Sequence, residues 1–288
     1  MRVFIATDLE GVGGVLLDEQ VNGSSAAYEH ARRLLTQEVN AAIDGALAGA
    51  ATEGALAGAA TEGALAGSAT EGAPAGSATE VLVDDGHASG FNFIYEELHP
   101  AARYAMGRPR PEWLAGLSGE CDAAFFIGCH AMAGTRGAVR DHTMSSAAWH
   151  NLWMNGRLTG EIGLWAAIAG HYGVPCVLVS GCEKACQEAA ALIPDIETVV
   201  TKRGLSRYAA FLEPVETVRR AIREAAAAAL GKAKAIVPLH VETPVELRLE
   251  YSLTGQADQV PIIPGRERLD ARTIAYRAEN VIEALRLI

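Results

Sequence analysis

No stretch of this 288-residue sequence is apolar for the ~18 residues that a membrane-spanning helix needs. A secretory leader is not expected either. Only four apolar residues, Val3 to Ala6, separate Met1-Arg2 from Thr7-Asp8, against the roughly 7–15 of a secretory core. The expectation is a cytoplasmic protein. Basic residues are in deficit: 24 Lys and Arg face 35 Asp and Glu, for a net charge of -11. Such a surface repels phosphate backbones and anionic lipid, so neither nucleic acid nor membrane is expected as a partner. Cysteines are few and odd in number (Cys121, Cys129, Cys176, Cys182 and Cys186), with no CxxC pair. A disulfide framework is not expected in a chain of this length, and the thiols read as small buried hydrophobes. Two catalytic signatures are missing: G-x-S-x-G, the serine-hydrolase elbow, and H-E-x-x-H, the zincin helix. A dinucleotide fingerprint fails as well, because Gly11 and Gly13 are followed at position 16 by Leu16.

What is present is ample core material, with 50% hydrophobic residues. Residues 2–7, 81–83, 123–129, 175–180 and 245–251 read as strands. Residues 24–44, 159–172, 214–230 and 278–287 read as helices. Ser24 or Ser25 is placed to cap the first helix and Thr159 the second, while Asn155-Gly156 signals a type I′ hairpin turn. Strands alternating with helices predict an α/β fold: a central, largely parallel sheet flanked by helices, with a smaller C-terminal α/β part. The whole chain, residues 1–288, reads as a single domain.

Residues 45–80 break this rhythm with four tandem nonapeptides: GALAGAATE at 45–53 and 54–62, GALAGSATE at 63–71 and GAPAGSATE at 72–80. Nine residues make two and a half helical turns, so Leu47, Leu56 and Leu65 would point to opposite sides of one helix. Each repeat also carries two glycines, each costing about 1 kcal/mol inside a helix. Residues 45–80 are expected to be an exposed insertion, with short helical pieces at most, rather than one long helix or a solenoid.

The residues that suggest chemistry sit after strands. Asp8 and Glu10 follow the first, His87 follows 81–83, and His130 ends AAFFIGCH. The C-terminal edge of a parallel sheet is where open α/β folds bind ligands. Two carboxylates side by side repel unless a cation or a proton intervenes, and imidazole with carboxylate is a catalytic-zinc donor set. Glu161 opens the helix that follows TG, where a dipole-capping role is equally open. His142, in RDHTMSS, reads as a general acid or base, an oxyanion donor or a structural histidine. Asp85 is a candidate to orient His87.

Taken together, TDLEGVGG, VDDGH, GCHAMAG, DHTM and TGEIG resemble the DppA-type zinc D-aminopeptidase family, as does the C-terminal run LTGQADQVPIIPG. The resemblance spans essentially the whole chain. It implies two zinc ions per subunit held by Asp8, Glu10, His87, His130 and Glu161, with Asp8 bridging them and His142 catalytic. It further implies hydrolysis of short peptides from their free N-terminus with a preference for D-residues such as D-alanine, and a homodecamer. Removing three repeat copies, 27 residues, restores the family spacing between Glu10 and His87. The competing readings are a dinuclear-metal amidase or esterase acting on a non-peptide substrate, and a non-catalytic scaffold assembled through its repeats.

Overall fold

The computed structural model describes residues 1–49 and 76–288. In chain order the elements are β1 (Arg2–Thr7), α1 (Ala26–Ala48), β2 (Glu80–Asp85), β3 (Ala102–Ala105), β4 (Ala123–Cys129), β5 (Trp149–Met154), β6 (Arg157–Leu158), α2 (Glu161–His171), β7 (Cys176–Cys182), α3 (Glu183–Leu192), β8 (Glu197–Ser206), β9 (Ala209–Leu212), α4 (Val215–Lys232), β10 (Val245–Tyr251), α5 (Thr254–Asp258), β11 (Arg266–Arg268), β12 (Thr273–Ala278) and α6 (Val281–Arg286). They form two sheets, so the fold is α/β as the sequence pattern predicts.

The larger sheet has the order β3-β2-β1-β4-β7-β8-β9. It is parallel up to β8, and only β9 returns antiparallel. Its central strands β4 (AAFFIGC) and β7 (CVLVSGC) are buried at every position, as near-continuous apolar runs in a covered parallel sheet must be. All five cysteines are buried and free. The smaller sheet, β11-β12-β10-β5-β6, is antiparallel throughout. It is not purely C-terminal, because β5 and β6 come from mid-chain. Asn155 (φ 48°) and Gly156 (φ 80°) turn β5 into β6, and both positive φ values are those of a type I′ turn.

Ser25 caps α1 by accepting from the Tyr28 amide at 3.0 Å. Thr159 does not cap α2. Its hydroxyl turns back to the Arg157 carbonyl at 2.9 Å, and Gly160 holds the cap position without a side-chain bond.

The repeat does not leave the fold at residue 45. Residues 45–48 complete α1, and Glu80 opens β2. Gly45 lies where α1 crosses α4: an added Cβ would stand 2.1 Å from the Arg223 carbonyl oxygen. The two ends of the repeat meet. The Ala78 amide bonds the Ala46 carbonyl at 2.8 Å, and a Cβ at Gly49 would touch Ser77 at 2.9 Å. The bulk of the expected insertion, residues 50–75, lies outside the described residues.

The large sheet runs outward from β1 in both directions, to β2 and β3 on one side and to β4, β7 and β8 on the other. The segments after β1, β2 and β4 therefore emerge side by side at the C-terminal edge, at the point where the strand order reverses.

Candidate metal centre

Asp8 and Glu10 lie just beyond β1, in a turn rather than on the strand face that their i, i+2 spacing suggests. The turn is tied to β4: the Asp8 amide bonds the Ile127 carbonyl at 2.8 Å, and the Gly11 amide bonds that of Gly128 at 2.7 Å. Both glycines are required here. A Cβ on Gly11 would sit 1.9 Å from the Cys129 carbonyl oxygen, and one on Gly128, at φ 80°, 2.1 Å from that of Asp8. Three groups that the sequence reading passed over hold the rest of the loop. Lys202, fully buried on β8, donates to the carbonyls of Glu10, Val12 and Val15 at 2.5, 2.7 and 2.5 Å. Glu38, buried on α1, accepts from the Gly13 amide at 2.7 Å, and Thr201 donates to the Gly11 carbonyl at 2.6 Å.

Asp8, Glu10, His87, His130 and Glu161 are all buried and converge. Nδ1 of His87 lies 2.9 Å from Asp8 Oδ1 and 3.0 Å from Glu10 Oε2. Nε2 of His130 lies 3.1 Å from Asp8 Oδ2 and 3.0 Å from Glu161 Oε1. Asp8 thus presents one oxygen to each histidine.

Each imidazole is oriented by a backbone carbonyl. Nε2–H of His87 donates to Val21 at 2.8 Å, Nδ1–H of His130 to Ala131 at 2.9 Å, and Nδ1–H of His142 to Arg140 at 3.0 Å. A carbonyl only accepts, so one proton of each ring is committed there, and the second nitrogen, which faces the carboxylates, is the one that would turn a lone pair to a metal ion. This is the outer-shell pattern of metal-bound histidine. Asp85 does not touch the His87 ring. It accepts from the Asn92 amide and side chain at 2.5 and 2.7 Å, and Asn92 in turn donates to the His87 carbonyl at 2.7 Å.

The carboxylates favour positive charge on the groups between them. Burial opposes charge on His87 and on His130, yet Glu10 and Asp8 hold the first, and Glu161 and Asp8 the second, well above the ordinary imidazole pKa. Burial would raise Asp8, but His130 and His87 outweigh it and hold the carboxyl far below its usual range. Glu161 is likewise lowered, against burial, by His130, His142 and the Met144 amide. Glu10 Oε2 and His130 Nε2 are enclosed and face charged neighbours at 3.0–3.1 Å, but among the described residues neither makes a well-aligned hydrogen bond. Buried atoms of this kind are rare unless an ion or water completes them. The donor set, carboxylate oxygens with imidazole nitrogens at the open edge of a sheet, fits zinc.

His142 stacks on His130, with ring centroids 3.8 Å apart and planes 17° apart. Its Nε2 stands 3.6 Å from Glu161 Oε1. Ligand atoms of His130, His142 and Glu161 fall within 4.8 Å of one another, as do those of Asp8, Glu10 and His130. The backbone around these groups is strained: Ala88, Arg140 and Met144 have φ of 42°, 53° and 58°. Non-glycine residues hold such angles at a cost of order 1–3 kcal/mol, typically at functional sites. At Met144 the strained backbone aims an amide at Glu161 Oε1 (2.7 Å). Glu188 of α3 braces the neighbouring loop by accepting from the Met132 amide at 2.8 Å.

Asp8, Glu10, His87 and Glu161 open onto a cleft of about 360 Å³ that Arg108, Trp113, Arg140 and His142 also line, while His130 lies behind it.

Fold and site together are those of a metal-binding α/β enzyme, and its relatives make it a metallo-aminopeptidase, a hydrolase. The M55 peptidase family model, described as D-aminopeptidase, matches residues 1–60 and 61–288, and the chain belongs to this family. It is 32% identical over 286 residues to the D-aminopeptidase of Bacillus subtilis (strain 168), covering 99% of this chain and 94% of that protein. It is also similar to the solved structure of the Zn-dependent D-aminopeptidase DppA from Bacillus subtilis, described as a self-compartmentalizing protease. That match has a TM-score of 0.86 and 30% identity, over 100% of this chain and 95% of the other.

Proposed function

We propose that this chain is a dinuclear zinc aminopeptidase that removes the first residue of short peptides, with a preference for D-residues of the D-alanine type. The observation that carries the reading is the division of donors about Asp8. Asp8, Glu10 and His87 would hold one ion, and Asp8, His130 and Glu161 the other, each set joined by contacts of 2.9–3.1 Å.

When bound, zinc supplies Lewis-acid polarisation of the scissile carbonyl and lowers the pKa of an attacking water. His142 handles the proton. With its Nδ1–H bound to the Arg140 carbonyl, Nε2 is the basic nitrogen. It takes a proton from the water and returns it to the leaving amine. Its contact to Glu161 is longer than those of His87 and His130 to their carboxylates, which favours this role over ligation.

Self-compartmentalization is a property described for the Bacillus subtilis protease. By family resemblance this chain assembles likewise as a homo-oligomer, a decamer. Five free, buried thiols support a cytoplasmic setting. No helix among the described residues is long and apolar enough to cross a membrane.

The test is release of alanine from D-Ala and L-Ala dipeptides by zinc-loaded protein, alongside simple esters and amides. The reading predicts turnover of the D-dipeptides that EDTA abolishes and zinc restores. Cleavage of esters with no cleavage of any dipeptide would replace it with the esterase reading.

A further inference from the structure

The cleft is lined by opposite charges. Asp8, Glu10 and Glu161 form one group, and two guanidinium groups, Arg108 and Arg140, form the other. Arg108 is exposed and spends one donor on the Gly86 carbonyl at 2.6 Å. Arg140 is different. Its side chain is only 6% exposed, and its one carboxylate partner among the described residues, Asp18 at 2.5 Å, is itself 72% exposed. The Nε of Arg140 is buried without a partner among the described residues. A guanidinium carries five donors in a planar fork. Burying one with donors unmet is costly. Its backbone adds to that cost, since the residue sits at φ 53°. That conformation places the Arg140 carbonyl on the Nδ1–H of His142, and its amide on the Arg207 carbonyl at 3.0 Å, while the side chain lines the cleft.

The geometry points to Arg140 as the residue that recognises the substrate's C-terminal carboxylate, which makes the preferred substrate a very short peptide with a free acid end. This rests on the aminopeptidase reading and narrows its substrate class. A desolvated guanidinium fork matches a carboxylate in shape and charge, and its bonds are strongest where water is excluded. A short peptide whose free amino end lies toward the metal-holding residues would bring its C-terminal carboxylate to Arg140, which lines the same cleft. A cleft of about 360 Å³ is at the small end of the ~300–1,000 Å³ usual for small-molecule sites, which suits a peptide of few residues. A long peptide would leave its carboxylate outside and Arg140 unmet. Because the carbonyl of the same residue fixes the His142 tautomer, carboxylate binding and proton transfer meet at one strained position.

The test compares a D-alanyl dipeptide with its C-terminal carboxamide on zinc-loaded enzyme. Charge-assisted bonds of this type predict a kcat/KM preference for the free acid of about tenfold to a hundredfold. Arg140→Gln should bring the acid-to-amide ratio close to one, mainly through KM for the acid. Arg140→Lys should keep part of the preference, and Arg108→Gln most of it. A wild-type ratio near one overturns the assignment without any variant, so misfolding of Arg140→Gln does not shield it. Collapse of the ratio in Arg108→Gln alone also overturns it. Absence of turnover with either peptide overturns the aminopeptidase reading, and the inference with it. Equal turnover of both removes only the role of Arg140.

Discussion

Glu38 offers a quantitative check on how the loop bearing Glu10 is held. It is buried on α1, and its Oε1 accepts from the Gly13 amide while Oε2 has no partner among the described residues. Burial is the dominant influence. It raises the carboxyl from its ordinary 4.5 to about 7, although the Gly13 amide and the Lys202 and Arg219 charges pull the other way. Below pH 4.5 the folded and unfolded chains both hold this proton. As the pH rises the unfolded chain releases it first, so the stability contribution is fully present below about 4.5 and lost as the pH passes about 7. Each pH unit in that window is worth ~1.4 kcal/mol, so wild type loses about 3 kcal/mol across it. Glu38→Gln keeps an acceptor for Gly13 and removes the titration. Urea unfolding of both proteins at several pH values between 4 and 8 isolates the effect, since every other carboxylate cancels in the difference. The variant should gain about 3 kcal/mol on wild type between the two ends. Parallel stability curves would show that Glu38 ionises normally and that its burial does not govern it.

The ligand roles predict that His87→Ala and His130→Ala lose zinc and activity together, measured by metal analysis and dipeptide turnover. His142→Ala should keep its zinc and lose about 10²–10⁴-fold in kcat, and full turnover would remove His142 from the mechanism. Lys202→Met leaves the carbonyls of Glu10, Val12 and Val15 without their donor. It should lower stability by about 3 kcal/mol and zinc affinity by roughly 10–100-fold, checked by denaturant melts and chelator competition. Deleting residues 50–76 joins Gly49 to Ser77, which already touch, and leaves one intact nonapeptide, GALAGSATE. Loop-closure cost changes slowly with length, so melting temperature and zinc content should match the parent, and an insoluble product would refute this.

Local sequence carried the strand ends, and with them the positions of Asp8, Glu10, His87 and His130, because apolar runs stopping at a polar residue fix both the strand and its edge. The Asn155-Gly156 turn and the Ser25 cap were legible for the same reason: each depends on a few neighbouring residues. Lys202 and Glu38 were not. Their partners are 187–192 and 25 residues away, and nothing adjacent announces them. A signal was nonetheless present, in a lysine following the apolar VVT of β8 and a glutamate on the same helical stripe as Leu34, Leu35 and Val39. Thr159 misled because a hydroxyl one residue before a glycine cap has a nearer acceptor in the Arg157 carbonyl. The repeat misled at its borders, where Gly45 reads as insertion but is fixed by the crossing of α1 and α4.

The central claim is that Asp8 is shared between two metal ions. Anomalous diffraction at the zinc edge from crystals of zinc-loaded protein tests it most directly. The account predicts two peaks in one cleft, one beside Asp8, Glu10 and His87 and the other beside Asp8, His130 and Glu161. A single peak, or a second one held by residues that do not include Asp8, would contradict it.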